Sequence, residues 1–208
     1  MKAIKDYINE RFISNNTKIV YNYFPKNNLE LRKLVSNLID ERGDNCDLND
    51  IDVSKIKDMS NVFERQKSLQ RIDISKWNVS NVENMDYMFF GCWNINMDLS
   101  SWDVSKVKSM ESMFYNCEKF LGQGLDKWDV SKVTNMNSMF QACRKFNNDI
   151  SRWNVSKVKD MSNMFSGCTI FNYDLSKWNV SKEIDMRYMF NYCKSLETNN
   201  LIPRWYVV

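Results

Sequence analysis

The stretch Trp128-Asp129-Val130-Ser131-Lys132-Val133-Thr134-Asn135-Met136, followed by Met139-Phe140 and Cys143, decides how the rest of the chain is read, because it recurs. Trp77, Trp102, Trp128, Trp153, Trp178 and Trp205 are spaced by 25, 26, 25, 25 and 27 residues, and Ile51 takes the Trp place one period earlier. With Trp as position zero, Val stands at +2, Ser at +3, Met at +8 and Phe at +12 in all six copies. A second Met holds +11, with Val62 in the first copy. Cys holds +15 in five copies (Cys92, Cys117, Cys143, Cys168, Cys193), and +18 is always apolar. A unit this short cannot bury its apolar residues alone, whereas stacked units share one core. The expected fold is therefore a repeat solenoid. Its Trp77, Trp102, Trp128, Trp153 and Trp178 form one structural ladder and its five cysteines another. Extra residues fall between +18 and the next Trp, at Gly122-Gln123-Gly124 and Asn199-Asn200, where slack belongs on a turn.

Within a unit, Asp98 to Trp102 reads as a short parallel strand, and Val104 to Met110 as a second with Ser105 and Lys106 near a turn. Met110, Met113, Phe114 and Cys117 fall at helical spacing, so Glu111 to Cys117 reads as a turn or two of α- or 3-10 helix. Residues 51–208 thus hold about six repeats, and residues 1–50 form a helical capping segment. In that segment Ile4, Tyr7, Ile8 and Phe12 mark one helical face over Lys2 to Ile13. Asn28 is expected to cap a second helix, Leu29 to Arg42, with Leu31, Leu34, Val35 and Leu38 inward and Gly43 as its stop. Trp205-Tyr206-Val207 restarts a unit and is expected to leave an exposed strand edge.

Composition sets outer bounds. Of 208 residues, 43% are hydrophobic and 26% charged, as in ordinary globular proteins, and five Gly with two Pro exclude a long flexible linker. A net charge of +3 does not point to nucleic acid. The absence of His removes the usual general base and the commonest metal ligand. Charges interrupt every apolar run before a secretory signal or membrane span is reached. Taken as a complete chain, the protein is expected inside a cell or a virus particle, and not in a membrane.

The unit resembles the BspA-like, mycoplasma-type surface-protein repeat, a family of unknown function written W-D-V-S-x-V-x-x-M-x-x-M-F-x-x-C-x-x-F-N-x-D-L-S. The copy from Trp153 to Ser176 matches nearly every position, including Phe171, Asn172, Asp174, Leu175 and Ser176. Tyr23-Phe24-Pro25 through Asp52 looks like the leader of such arrays in some bacterial and large-DNA-virus members. The family is similar to leucine-rich repeats, and the resemblance implies right-handed, leucine-rich-repeat-like coils and a binding role. Bacterial members are typically exported and anchored. This sequence carries no signal segment, no lipid-attachment Cys and no wall-anchor motif, so the resemblance points to an intracellular or large-DNA-virus member.

The motifs that could carry chemistry each have a plainer reading. The five regularly spaced cysteines, with no C-x-x-C, read as buried free thiols rather than soft-metal or redox groups. The Met columns read as core packing beside Phe rather than Cu(I) ligands. Asp73, Asp98, Asp149 and Asp174 read as turn acceptors rather than a calcium column. Basic residues at +4 (Lys55, Lys106, Lys132, Lys157, Lys182) and just before Trp at Lys76, Lys127, Arg152, Lys177 and Arg204, interrupted by Asp58, Glu83, Glu111, Asp160 and Asp185, read as a solvated, salt-bridged face. No catalytic residue, cofactor or metal is expected. The leading reading is a non-enzymatic scaffold for protein–protein interaction; the alternative is a structural or virion-assembly component with no outside ligand. Specificity should lie where copies differ and face outward, at +13 and +16. There Phe90, Trp93 and Tyr115 gather on two adjacent units, as an anchor for a protein partner or a second copy of the chain.

Overall fold

The computed structural model describes residues 19–206. The helix expected over Lys2 to Ile13, and Val207, lie outside them. Helix α1 spans Asn28–Arg42. Its cap is Asn27, one residue ahead of expectation: the Asn27 side chain accepts from the Glu30 amide at 3.0 Å, and the Glu30 carboxylate accepts from the Lys26 amide at 2.8 Å. This reciprocal pairing satisfies amides that a helix start leaves orphaned, and it leaves the Asn28 side chain free for another task. Gly43 ends the helix with φ 81°, a left-handed conformation that Gly adopts without a side-chain clash. The helix buries Leu31, Leu34, Val35, Leu38 and Ile39. At its far end the Arg42 guanidinium holds both Asp50 oxygens at 2.9 Å and donates to the Asp47 carbonyl.

Regular strand is scarce. Strands β1 (Asn45–Asp47) and β2 (Arg71–Asp73) pair in parallel, with Asn45 opposite Arg71. Elsewhere Tyr23 bridges Ile51 in parallel, and each repeat gives one residue to a parallel column that runs Asp58, Asn84, Ser109, Asn135, Asp160, Asp185. The segment Asp98–Trp102 is a turn and not a strand, with the Ser100 amide on Asp98 Oδ1 and the Trp102 amide on the Leu99 carbonyl. In Val104–Met110 the expected turn at Ser105-Lys106 is present, but only Ser109 pairs. The cause is local. Asp or Asn recurs at −4, +1 and +7, and its carboxylate or amide oxygen takes the amide two residues on, as at Ser151, Ser131 and Ser162. Such side-chain turns compete with extended backbone.

Glu111–Cys117 is likewise not a helix. It is a ribbon of consecutive turns in which the amides of Met113, Tyr115 and Cys117 bond back three residues, to Met110, Ser112 and Phe114. The intervening amides, of Met110, Ser112, Phe114 and Asn116, bond forward to the carbonyls of Asn135, Asn137, Met139 and Gln141 in the next repeat. A helix would turn its later amides back onto its own carbonyls and take them from the junction with the next repeat. The ribbon requires left-handed residues at +10 and +14, and they are there in every repeat, for example Ser112 (φ 51°), Asn116 (φ 58°), Ala142 (φ 61°) and Gly167 (φ 81°).

The interior is one continuous apolar cluster from Leu31 to Leu196. Phe63, Phe89, Phe114, Phe140, Phe165 and Phe190 lie face to face along it at 5.1–5.8 Å. Val82, Val107, Val133 and Val158 at +5 add a column that the repeat comparison passed over. In the insertion, a 3-10 turn at Leu125–Lys127 follows Gly124, where any Cβ would collide with the Ser100 backbone. Helix α2 (Lys194–Thr198) precedes the Asn199-Asn200 slack. Repeat geometry starts earlier than Ile51, since the indole N–H of Trp77 donates to the Leu48 carbonyl as that of Trp102 does to Ile74. The boundary drawn at residue 50 falls inside the first repeat.

Candidate interaction surface

Each Trp and each Cys in the two ladders carries a polar task along the stacking direction. The indole N–H of Trp128, Trp153 and Trp178 reaches the −3 carbonyl of the preceding repeat, at Leu99, Leu125 and Ile150, over 2.8–3.2 Å. Trp102 and Trp128 stack at 6.5 Å. Each ladder thiol donates to the Phe carbonyl one repeat back: Cys92 to Phe63, Cys117 to Phe89, Cys143 to Phe114, Cys168 to Phe140 and Cys193 to Phe165, at 2.9–3.1 Å. All five are buried and unpaired, as is Cys46 in β1. Burial pushes the Cys92 and Cys193 thiols up to about 12 and raises Cys117, Cys143 and Cys168 strongly. A neutral thiol that donates a hydrogen bond is poorly suited to be a nucleophile or a metal ligand.

The acidic column is engaged in turns. Asp73, Asp98, Asp149 and Asp174 accept from the amides of Ser75, Ser100, Ser151 and Ser176 at 2.8–3.0 Å. Their carboxyls lie below the ordinary range; those turn bonds hold Asp98, Asp149 and Asp174 down and, at Asp73, outweigh burial. Among the described residues no three Cys, Asp or Glu side chains converge as a metal site would require. On the basic face, Glu83 sits between Lys108 (2.6 Å) and Lys57 (3.9 Å).

Phe90 and Tyr115 come together, their rings stacked at 4.7 Å and 12°. Tyr87 packs on Phe90 at 5.8 Å from one side, and the Arg65 guanidinium lies 5.8 Å from the Phe90 ring centre. Both rings are half-buried. Trp93 is 42% exposed, with the Lys67 ammonium 4.8 Å above its ring and no ring–ring contact among the described residues. The three aromatics thus make a stacked pair with a cation beside it, and a separate exposed indole under a second cation.

Beside them lies a polar cluster that the repeat comparison missed. At +7 the other repeats carry Asp or Asn, but the third carries Ser109, whose hydroxyl donates to Asp86 and does not take the amide two residues on. Asp86 of the preceding repeat takes over, accepting from the Glu111 amide at 2.7 Å and the Ser109 hydroxyl at 2.5 Å. Glu111 in turn accepts from the Asn135 side chain at 3.0 Å and from the Tyr87 hydroxyl. Burial raises the Asp86 carboxyl, and the Glu111 bond pushes the Tyr87 phenol up to about 12. The lone Ser in an Asp/Asn column was the readable signal.

Turn-built units, shared columns and hydrogen bonds from each unit to the next define a repeat protein. The chain belongs to the family described as "Mycoplasma protein of unknown function, DUF285", which it matches over residues 31–123 and 118–207. No curated protein and no solved structure matches it. No described helix is long and apolar enough to cross a membrane.

Proposed function

We propose that the chain is a non-enzymatic scaffold, a right-handed solenoid of about six repeats that binds a protein partner through Phe90, Tyr115 and Trp93. The in-register bridge column and Phe stack support the solenoid, and the right-handed habit of parallel crossovers supports its hand. The observation that carries the binding reading is the exposed aromatic–cation surface on the first three repeats. Aromatic and Arg side chains are the residues that most often anchor interfaces, and the repeating columns make no use of these three. The non-enzymatic reading is supported by the polar residues themselves, which are engaged in turns and inter-repeat bonds. A photo-crosslinking residue at Trp93 should capture a discrete partner in cells of the native source. Capture should fail when Phe90→Ser is added, with folding intact by circular dichroism. Capture undiminished by Phe90→Ser would refute the patch as the anchor. The second reading, an assembly component, is favoured by the forward-pointing amides of the turn ribbon, which join each repeat to the next.

A further inference from the structure

The repeats meet again after the Cys column, from +16 to +19. The Asn94 side-chain amide donates to the Lys67 carbonyl at 3.1 Å, the Lys119 amide to the Trp93 carbonyl at 3.2 Å, and the Thr169 hydroxyl to the Arg144 carbonyl at 3.2 Å. These bonds hold the outward side chains of successive repeats in one file, at a strand-like spacing of about 4.8 Å per repeat. From Lys67 in the first repeat to Ile170 in the fifth the file is therefore about 19 Å long.

The file is both apolar and cationic. The large apolar side chains left exposed in the first five repeats are Trp93, Leu121 and Ile170, at 42%, 43% and 39%, and all three lie in it. Its exposed cations are Lys67, Lys119, Arg144 and Lys145, with Arg65 beside them at +14. Against these stand Glu64, 3.6 Å from Arg65, and Glu118, 4.0 Å from Arg144. Lys67, Lys119 and Lys145 have no carboxylate within ion-pair distance among the described residues. The neighbouring rings add to the positive character. Phe90 and Tyr115 stack at 4.7 Å, the repeat spacing, so their faces look along the array and their edges outward. A ring edge is the positive end of the aromatic quadrupole.

We propose that the file from Lys67 to Ile170 binds an acidic, apolar segment of a protein partner in extended form. Carboxylates of the segment pair with Lys67, Lys119 and Lys145, and its apolar side chains cover Trp93, Leu121 and Ile170. The assignment rests on the scaffold reading and names the partner that this surface fits. About six extended residues span about 19 Å. A neutral segment would cover the ammonium groups without pairing them, and a purely acidic one would leave the indole and Leu121 in water. Nucleic acid fits less well, because a base stacks on an open ring face. Tyr115 takes one face of Phe90 and the Arg65 guanidinium, from the repeat before, lies over the other, while the Lys67 ammonium lies over Trp93.

The test uses the full chain, random-peptide display, and a variant carrying Lys67→Glu, Lys119→Glu and Lys145→Glu whose fold is checked by circular dichroism. Peptides retained by the wild-type chain and not by the variant should combine Asp or Glu with Leu, Phe or Trp. By fluorescence anisotropy the best of them should bind the triple variant at least about tenfold more weakly and should weaken as salt rises. Trp93→Ser should weaken it at least about fivefold. Failure of display to separate the two chains would overturn the proposal, as would retained peptides of neutral or basic composition. Tighter binding of a labelled oligothymidylate, lost in the triple variant, would assign the file to nucleic acid instead. Self-association of the wild-type chain that the triple variant abolishes, seen by sedimentation, would assign it to a second copy. Crosslinking at Trp93 that captures a partner equally well from the triple variant leaves the scaffold reading standing and removes this one. Peptide binding that survives Phe90→Ser does the reverse for the Phe90 anchor.

Discussion

Replacing Phe140 by Ala probes the centre of the stack. Phe140 has no exposed surface; its ring lies on Phe114 at 5.7 Å, on Phe165 at 5.8 Å and on Phe146 at 4.2 Å. Truncation removes roughly 100 Å² of buried apolar surface, worth about 2.5 kcal/mol at 25 cal/mol per Å². The rings above and below are held by forward hydrogen bonds on their own backbones, so the gap cannot collapse. If roughly 80 Å³ stays open, the cavity adds about 2 kcal/mol. The expected loss is therefore about 4–5 kcal/mol, the upper range for aromatic truncation. Phe190 is the internal control. Its ring has one flat Phe neighbour, Phe165, and is otherwise met by Trp205 and Tyr206 at steep angles. Because that end can relax, Phe190→Ala should cost only about 2–3 kcal/mol. Urea unfolding followed by far-ultraviolet circular dichroism gives both values, with the denaturant slope as the check on cooperativity. A Phe140→Ala loss below that of Phe190→Ala would refute the argument that rigid stacking on both faces prevents collapse.

The ladder thiols should be reduced and should react with a disulfide reagent only after denaturation; intact mass showing two native disulfides would contradict this. Their raised folded values mean that the stability they contribute is complete below the unfolded pKa of about 9 and is lost as pH rises toward 12. The loss approaches about 1.4 kcal/mol per pH unit for each thiol. Cys143→Ser should shallow that alkaline slope, and an unchanged slope would count against it. Asn28→Ala should destabilise by about 1–2 kcal/mol by leaving the Asp58 and Ser60 carbonyls without the side-chain amide that takes them, and Asn28→Asp by more, because a carboxylate faces them; equal losses would argue against that capping role. Ala142→Gly, destabilising in most regular structure, should here be neutral or stabilising by up to about 1 kcal/mol, because φ is 61°. Gly167→Ala should destabilise, since its Cβ would sit 3.3 Å from the Ala142 backbone at φ 81°. Thermal melts decide both, and a lower Tm for Ala142→Gly would sink the strain argument.

What was legible in the sequence was whatever repeats in identity. Trp, Met, Phe and Cys recur at fixed intervals, and all of them but Met186 and Trp205 are buried. The local conformation was not legible, because Met110, Met113, Phe114 and Cys117 are spaced three, one and three apart, as on a helix face. A chain of turns in which alternate amides bond back three residues gives the same spacing of inward side chains. The left-handed residues that separate the two forms are mostly Ser, Asn, Tyr, Ala and Arg, with Gly only at Gly91 and Gly167, so no glycine signal announced them. The strands failed for a related reason: the Asp-x-Ser and Asn-x-Ser steps that looked like polar strand residues are, at all but Asn179, side-chain turns. The Asp86–Glu111 cluster escaped because attention went to positions that agree, while its signal is Ser109, a position that departs.

That contrast also says where function can reside. Core columns fix the interior, two or three side-chain turns per repeat fix the path, and the forward amides fix the order of repeats. The +13 and +16 side chains serve none of these tasks, and in later repeats Gln141, Ser166, Arg144 and Thr169 fill them at no visible cost to the ribbon. Folding therefore does not demand aromatics there. Yet Phe90, Tyr115 and Trp93 sit together at the start of the array, with Arg65 and Lys67 of the first repeat set over two of the rings. An exposed indole costs solubility and returns nothing to this backbone. Its presence at one end, and its replacement by Glu118 and Arg144 in the next two repeats, supports the proposal that this patch is a local recognition surface.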